Sequence, residues 1–303
     1  MELYQLRYFQ AVAECGTLRE AAERLSVSQS AVSRAVAMLE AEIGVPLFTR
    51  RGRANELNRF GETLLNGSRR VQRSLDTAVA GVRELAGADG GNVALGFLHS
   101  LGISIVPELI RGHHDRFPQA NFTLHQSSGQ GLLTDLVDGV TDLALSVPEA
   151  FQGYDEIRWH TLYIEQLYAV VGHKHPLARR SHIGLPELAD YPFVALDSDH
   201  TLRRILDLAC NRYGLTPYLT FEGRDIATLR GLIGANLGVG VLPAASPRPS
   251  NVVEIVIDDD QLVRPIAIGW VEDRYLPPSA CAFRDTALAA YPPARAQRKT
   301  KPR

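Results

Sequence analysis

No run of apolar residues in this chain approaches the roughly 20 that a helix needs to cross a bilayer. Cysteine is scarce: Cys15, Cys210 and Cys281 are far apart and odd in number. That is neither a disulfide framework nor a metal pattern, and it suits small buried hydrophobes in a reducing compartment. The N-terminus "MELYQLRYFQAVAEC" has no basic stretch followed by an apolar block, so it offers no export signal. A Gly-rich phosphate loop between strand and helix is missing, as is a nucleophile elbow. The glycines of "GANLGVG" end a helix rather than begin one. "GHHD" (His113, His114, Asp115) and "GHKH" (His173, His175) lack ligand spacing on one helical face, and no acidic cluster joins them. These absences argue against an enzyme, a metal or cofactor site and a membrane protein. They place the chain in the cytoplasm.

A surplus of positive charge is also missing. The formal net charge is −2, which as an average speaks against a polyanionic partner. The distribution reverses that reading. From Val45 to Arg73 seven arginines (50, 51, 53, 59, 69, 70 and 73) face two acids, Glu56 and Glu62. Arg295 to Arg303 adds five basic residues and no acid. One end of an otherwise acidic chain can therefore attract a polyanion while the whole stays dispersed.

The first block reads as helical. "LRYFQAVAE" spaces Leu6, Phe9, Val12 and Ala13 as one apolar face. Thr17, with Glu20 three residues on, opens a short second helix as a capping box. After the polar turn "SVSQ", a third helix runs from about Ser28 to Ile43 and stops at Gly44. At about 100° per residue, Val32, Val36, Leu39 and Ile43 form its core face. Gln29, Ser30, Ser33 and Arg34 gather roughly opposite, within the first two turns. Gln suits adenine, Arg suits guanine and Ser suits bases or phosphates, so this is the face that would enter a major groove. On an isolated helix the better reading would be a solvated polar face; the capped short helix before it, the Arg-rich wing and the dimerising helix after it reverse that. "PLFTRRGRANEL" then predicts two short strands around an Arg-Gly turn, a wing whose Arg50, Arg51 and Arg53 suit a phosphate backbone or a narrow minor groove. A long helix follows, capped by Asn58 and running to about Ala86. Its Leu64, Ser68, Val71, Leu75, Ala78, Val82 and Leu85 alternate four and three apart as a coiled-coil seam that asks for a second copy, unless its own domain covers it. "GADGG", Gly87 to Gly91, is a flexible boundary.

Beyond Gly91, strands alternate with helices, from "NVALGFL" and "ISIVPELIRGHHDRF" to "IATLRGLIGANLG" and "VGVLP". The texture predicts parallel α/β sheets, with room for two lobes.

The stretch "LRYFQAVAECGTLREAAERLSVSQSAVSRAVAMLEAEIGVPLFTRRGR" resembles the N-terminal winged helix-turn-helix of LysR-type transcriptional regulators. The order of parts matches that family along the whole chain apart from the basic tail. Ser30 stands where the family often has proline, and Asn58 where it often has threonine. Serine starts helices well and asparagine caps them. The resemblance implies a DNA-binding domain over 1–58, a dimerisation helix over 59–88 and an effector domain over 89–303. That last part would be a two-lobed α/β fold like a periplasmic binding protein, with lobe I about 92–161 and 267–294, lobe II about 162–266 and a basic tail over 295–303. Thr17, Arg19 and Ser28 join the DNA-contacting set, and Leu64, Val71, Leu75, Ala78, Val82 and Leu85 the dimer seam. Implied partners are an interrupted palindrome near a promoter, a second copy through the linker helices, a homotetramer and RNA polymerase.

Three loops match the family's pocket positions: Ser100 with Leu101, Ser128–Gly129–Gln130, and His200–Thr201–Leu202 with Arg203 beside them. Val147, Pro148 and Glu222 are added at strand ends. Each serine could instead be a helix cap that touches no ligand. "GFLHSLGISIVPELIRGHHDRFP" and "GLIGANLGVGVLP" look most like regulators related to the glutamate synthase activator, which points to a small carboxylate effector. The alternatives are a cytosolic small-molecule-binding protein and an architectural DNA binder without effector response.

Overall fold

The computed structural model describes residues 1–51, 54–87, 90–247 and 249–292. Arg53 and the tail from Arg295 lie outside the described residues, and of Arg50 only the backbone is described. The chain divides into two compact units, Met1–Val79 and Ala80–Arg303.

The first unit begins with three helices, α1 (Leu3–Cys15), α2 (Leu18–Leu25) and α3 (Gln29–Ile43). Their starts follow from local chemistry. Thr17 Oγ1 accepts from the Glu20 amide at 3.2 Å, and Ser28 Oγ accepts from the Ala31 amide at 3.2 Å. Each cap satisfies a backbone donor that the first turn leaves orphaned. Gly16 and Gly44 end α1 and α3 in the left-handed region. Val12, Ala22, Val32 and Val36 share one core cluster, and Phe9, Leu39 and Leu47 another. Ile43, expected on the core face of α3, is 41% exposed, because the helix runs past the core before Gly44 stops it.

Strands β1 (Phe48–Arg51) and β2 (Ala54–Leu57) pair antiparallel as the expected wing. Asn55 donates its amide to the Gly16 carbonyl at 2.8 Å, which ties the wing to the α1–α2 turn. Asn58 caps α4 (Arg59–Leu85), with Oδ1 accepting from the Phe60 and Gly61 amides at 2.9 and 3.0 Å. Its Nδ2 donates to the Pro46 carbonyl at 2.8 Å. Gly61 has to be glycine here, since a Cβ would run into the Leu47 carbonyl and the Leu57 side chain.

The second unit holds one large mixed sheet and a two-stranded one. The strands in chain order are β3 (Asn92–Leu98), β4 (Asn121–Ser127), β5 (Leu143–Ser146), β6 (Ile157–Gly172), β7 (His182–Ile183), β8 (Phe193–Leu196), β9 (Leu219–Gly223), β10 (Gly240–Pro243), β11 (Val252–Ile257) and β12 (Val263–Val271). The helices are α5 (Ile105–His114), α6 (Gly129–Asp138), α7 (Thr201–Arg212), α8 (Ile226–Gly234) and α9 (Pro278–Ala290). The large sheet runs β4-β3-β5-β12-β6-β11-β7, with β10 also on β6, and β8 pairs β9 separately. The expectation of parallel sheets holds for β3 with β4 and β5 and for β8 with β9. It fails at the centre, where β12 runs antiparallel to both β5 and β6, and where β10 and β11 run antiparallel to β6.

β11 and β12 do not pair with each other; both run along β6 in the same direction, Val252–Val256 against Tyr168–Gly172 and Val263–Val271 against Ile157–Gln166. The 16-residue β6 is shared by two cores. Its first part pairs β12 beside Leu95, Leu145 and Ile268, and its second part pairs β10 and β11 beside Val194, Leu229 and Ile255. A register shift falls at Ile266/Ala267, opposite Tyr163 and Thr161.

His113 belongs to the first of these cores. It is fully buried, stacked on Phe117 at 4.7 Å and edge-on to Phe122 and Phe283. Thr286 Oγ1 donates to the Ala282 carbonyl at 2.8 Å, so at 3.2 Å it accepts from His113 Nδ1. Among the described residues Nε2 is left buried without a partner. Burial lowers the His113 pKa from its ordinary value, and Arg116 and His114 add to the effect. The sign is fixed by linkage: the stability His113 contributes is complete above the unfolded value of about 6.5. It is lost as pH falls from there through the lowered folded value. The melting temperature should therefore drop on acidification through this window, and His113→Gln should flatten that part of the slope. An unchanged slope in the variant would remove His113 from the account.

Candidate functional site

Two surfaces stand out, one in each unit. In the first, Ser28, Gln29, Ser30, Ser33 and Arg34 are all exposed, on a helix whose Val32, Ala35, Val36 and Leu39 are buried. Arg34 Nε lies along its own helix, donating to the Ser30 carbonyl at 3.3 Å. Ser28 and Ser30 share a hydroxyl contact at 3.0 Å. Thr17, Arg19 and Gln29 line one shallow depression with Asn55 of the wing, so the cap of α2, the start of α3 and the wing meet there. Arg19 is paired to Glu23 at 2.9 Å, and Arg51 to Glu56 at 3.5 Å, both pairs well exposed and weak. Glu14 draws in Arg24 and Arg69, at 2.8 and 3.0 Å. The Arg69 hydrogen bond leads the effects that hold the Glu14 carboxyl below the usual carboxylate range. Part of the basic charge counted in the sequence is thus spent internally.

The seam of α4 splits in two. Leu64 is half-buried against the core of its own unit, and Ser68 is buried and donates to the Leu65 carbonyl. These two positions are covered by their own domain. Beyond them Val71, Leu75, Val82 and Leu85 are 49, 41, 66 and 73% exposed, Val79 joins them at 44%, and Ala78 is half-buried.

In the second unit a cavity of about 560 Å³ is walled by residues of both cores. Of the predicted positions, Ser100, Ser128, Gly129, Gln130, His200, Thr201 and Leu202 line it. Ser128 is also a helix cap: its Oγ accepts from the Gly131 amide at 3.3 Å at the start of α6. His200 precedes α7 without any side-chain cap bond, which leaves the first amides of that helix uncapped.

Five predicted residues are not brought to the wall. Leu101 and Val147 are buried in the core beneath it. Pro148 is buried at the start of a short turn. Arg203 turns away and binds Glu222 at 2.5 Å, Asp207 at 2.9 Å and the Leu196 carbonyl at 3.0 Å, so Arg203 and Glu222 satisfy each other.

The neighbour one position on, Arg204, lines the cavity instead. It is exposed, and its side chain has no partner among the described residues. Thr201 and Arg204 are three apart and share a helix face, a signal present in the sequence. Arg224, Asp225 and Arg264 also line the wall. Asp225 caps α8, accepting from the Thr228 amide at 2.8 Å, and that bond leads the effects that lower its pKa. Arg264 comes from β12, a strand that the sequence pattern passed over. Among the described residues no group of three or more potential metal ligands is gathered.

The comparisons with known proteins agree with both units. A model described as "Bacterial regulatory helix-turn-helix protein, lysR family" matches residues 3–62, and "LysR substrate binding domain" matches residues 86–292. The chain belongs to the LysR family of transcriptional regulators. It is 35% identical over 291 residues to the transcriptional dual regulator GltC of Bacillus subtilis (strain 168), covering 95% of this chain and 97% of that one. The effector-binding domain of QuiR, solved in complex with shikimate, is 25% identical with a TM-score of 0.62, covering 66% of this chain and 97% of that domain. Full-length CbnR, solved with its target DNA, shares the fold with a TM-score of 0.73 at 23% identity, over 96% of this chain and 100% of that one. As a LysR-type regulator the chain joins a reader unit to an α/β effector domain, and no helix among its described residues is long and apolar enough to cross a membrane.

Proposed function

We propose that this LysR-type regulator works in the cytoplasm, reading an interrupted palindrome near a promoter with the N-terminal turns of α3 and responding to a small carboxylate in the cavity of its second unit. The observation that carries the DNA reading is the exposed row Ser28, Gln29, Ser30, Ser33 and Arg34 on a helix whose opposite face is core. Such a row presents donors and acceptors at the end of a helix that fits a major groove. The wing residue Arg51 serves the backbone. The open seam of Val71, Leu75, Val82 and Leu85 pairs two chains, the dimers assemble as a tetramer, and RNA polymerase is a further partner. In this reading residues 1–58 bind DNA, 59–88 dimerise and 89–303 sense. The effector class is supported by the uncapped start of α7, by Arg204, which has no partner among the described residues, and by the shikimate bound in QuiR.

Selection from a pool of random duplexes tests the operator. Two half-sites related by a two-fold axis are expected, and enrichment without symmetry would contradict the reading. Arg51→Ala should weaken binding on every duplex alike and flatten its salt dependence. A loss confined to some sequences would mean that the wing reads bases. Calorimetric titration of the full chain with dicarboxylic, keto and hydroxy acids tests the effector class; no heat from any of them would remove it.

A further inference from the structure

Arg264 is 2% exposed and yet lines the cavity. Its Nε donates to Glu165 Oε2 at 2.7 Å, and Glu165 stands directly across from it in the β12–β6 register. Its other arm donates through Nη1 to Ser100 Oγ at 3.0 Å. A guanidinium has donors only, and a serine hydroxyl has a single proton. Ser100 Oγ must therefore accept from Arg264, and its own proton must point elsewhere. Among the described residues that proton has no acceptor. Ser100 is half-buried, and the backbone next to it is anchored by Leu101 in the core. The hydroxyl proton is thus presented to the cavity from a fixed point.

We propose that Arg264 is a positioning and specificity-determining residue of this cavity. By occupying one of the two Ser100 Oγ lone pairs and leaving its proton free, it makes that wall favour a ligand with an acceptor oxygen, as in a carboxylate or another oxyanion, over a donor-only group in the same place. Glu165 neutralises the guanidinium, so the selection arises from hydrogen-bond direction and not from the charge of the pair. The inference rests on the reading of the cavity as the effector site.

Acetate and acetamidinium have the same shape; the first only accepts and the second only donates. Saturation-transfer NMR on the full-length protein would measure both, counting only the signal lost in Ser100→Ala. Acetate should bind about tenfold more tightly than acetamidinium, as a charge-assisted hydrogen bond allows. In the double variant Arg264→Gln with Glu165→Gln, net charge is unchanged and a glutamine at 264 can donate or accept. The ratio should fall there to about twofold. Should that variant fail to fold, Arg264→Lys keeps a cation beside Glu165 but loses the forked reach to Ser100, and the same fall is expected. Equal binding of the two probes, an unchanged ratio in the variants, or no Ser100-dependent signal from either probe would overturn the proposal. None of these outcomes bears on operator binding, which is measured separately and decides the regulator reading.

Discussion

Arg34→Ala should abolish specific operator binding and leave the fold intact. Arg34 is exposed, and its one hydrogen bond among the described residues is to the Ser30 carbonyl of its own helix, so its removal opens no cavity and orphans no buried group. A bidentate arginine–guanine contact is worth about 1–3 kcal/mol against the wrong base. A two-fold operator makes it twice, so the loss approaches about 2–6 kcal/mol and specific binding falls to the non-specific level. The melting temperature and the affinity for unrelated DNA should change little. Footprinting with a parallel thermal melt reads both, and an unchanged footprint would remove Arg34 from the reading face.

Leu75→Glu should dissociate the dimer. Leu75 is 41% exposed and lies at the middle of the open seam, between Val71 and Val82. Pairing two such helices buries each Val or Leu for about 1.5–3 kcal/mol. A glutamate at the same place leaves an unpaired charge in that interface, at about 3–5 kcal/mol, and sets it near its own symmetry copy. Sedimentation at micromolar concentration should show monomers for the variant and larger species for the parent. Operator affinity should fall with the dimer, since each half-site then binds alone. A variant that sediments like the parent would mean that another surface joins the chains.

Legibility followed the range of the physical cause. The reader unit was legible because its signals are local: Thr17, Ser28 and Asn58 each cap a helix two or three residues away. The exposed and buried faces of α3 follow from one rotation per residue, and that rotation misled only at Ile43, where the helix outruns its core. The cavity was legible at Ser128 and Thr201, which open helices, but not at Asp225, which opens α8 in the same way. It was not legible at Arg264, which reaches Ser100 from a strand 164 positions further along the chain. Arg203 and Arg204 differ by one step around α7, and only the packing of Glu222 on β9 shows which of them is consumed. The seam was legible as a pattern, but Leu64 and Ser68 satisfy the same spacing while packing at home. The antiparallel centre was not legible, because β10, β11 and β12 all pair with the distant strand β6, and alternation of apolar residues carries no record of partner or direction.

The measurement that tests the central claim most directly is a footprint of the purified full-length protein on the DNA upstream of its own gene, at two salt concentrations. A protected, interrupted palindrome whose affinity falls steeply with salt is the expected result. No protection at low salt would contradict the operator reading at that locus.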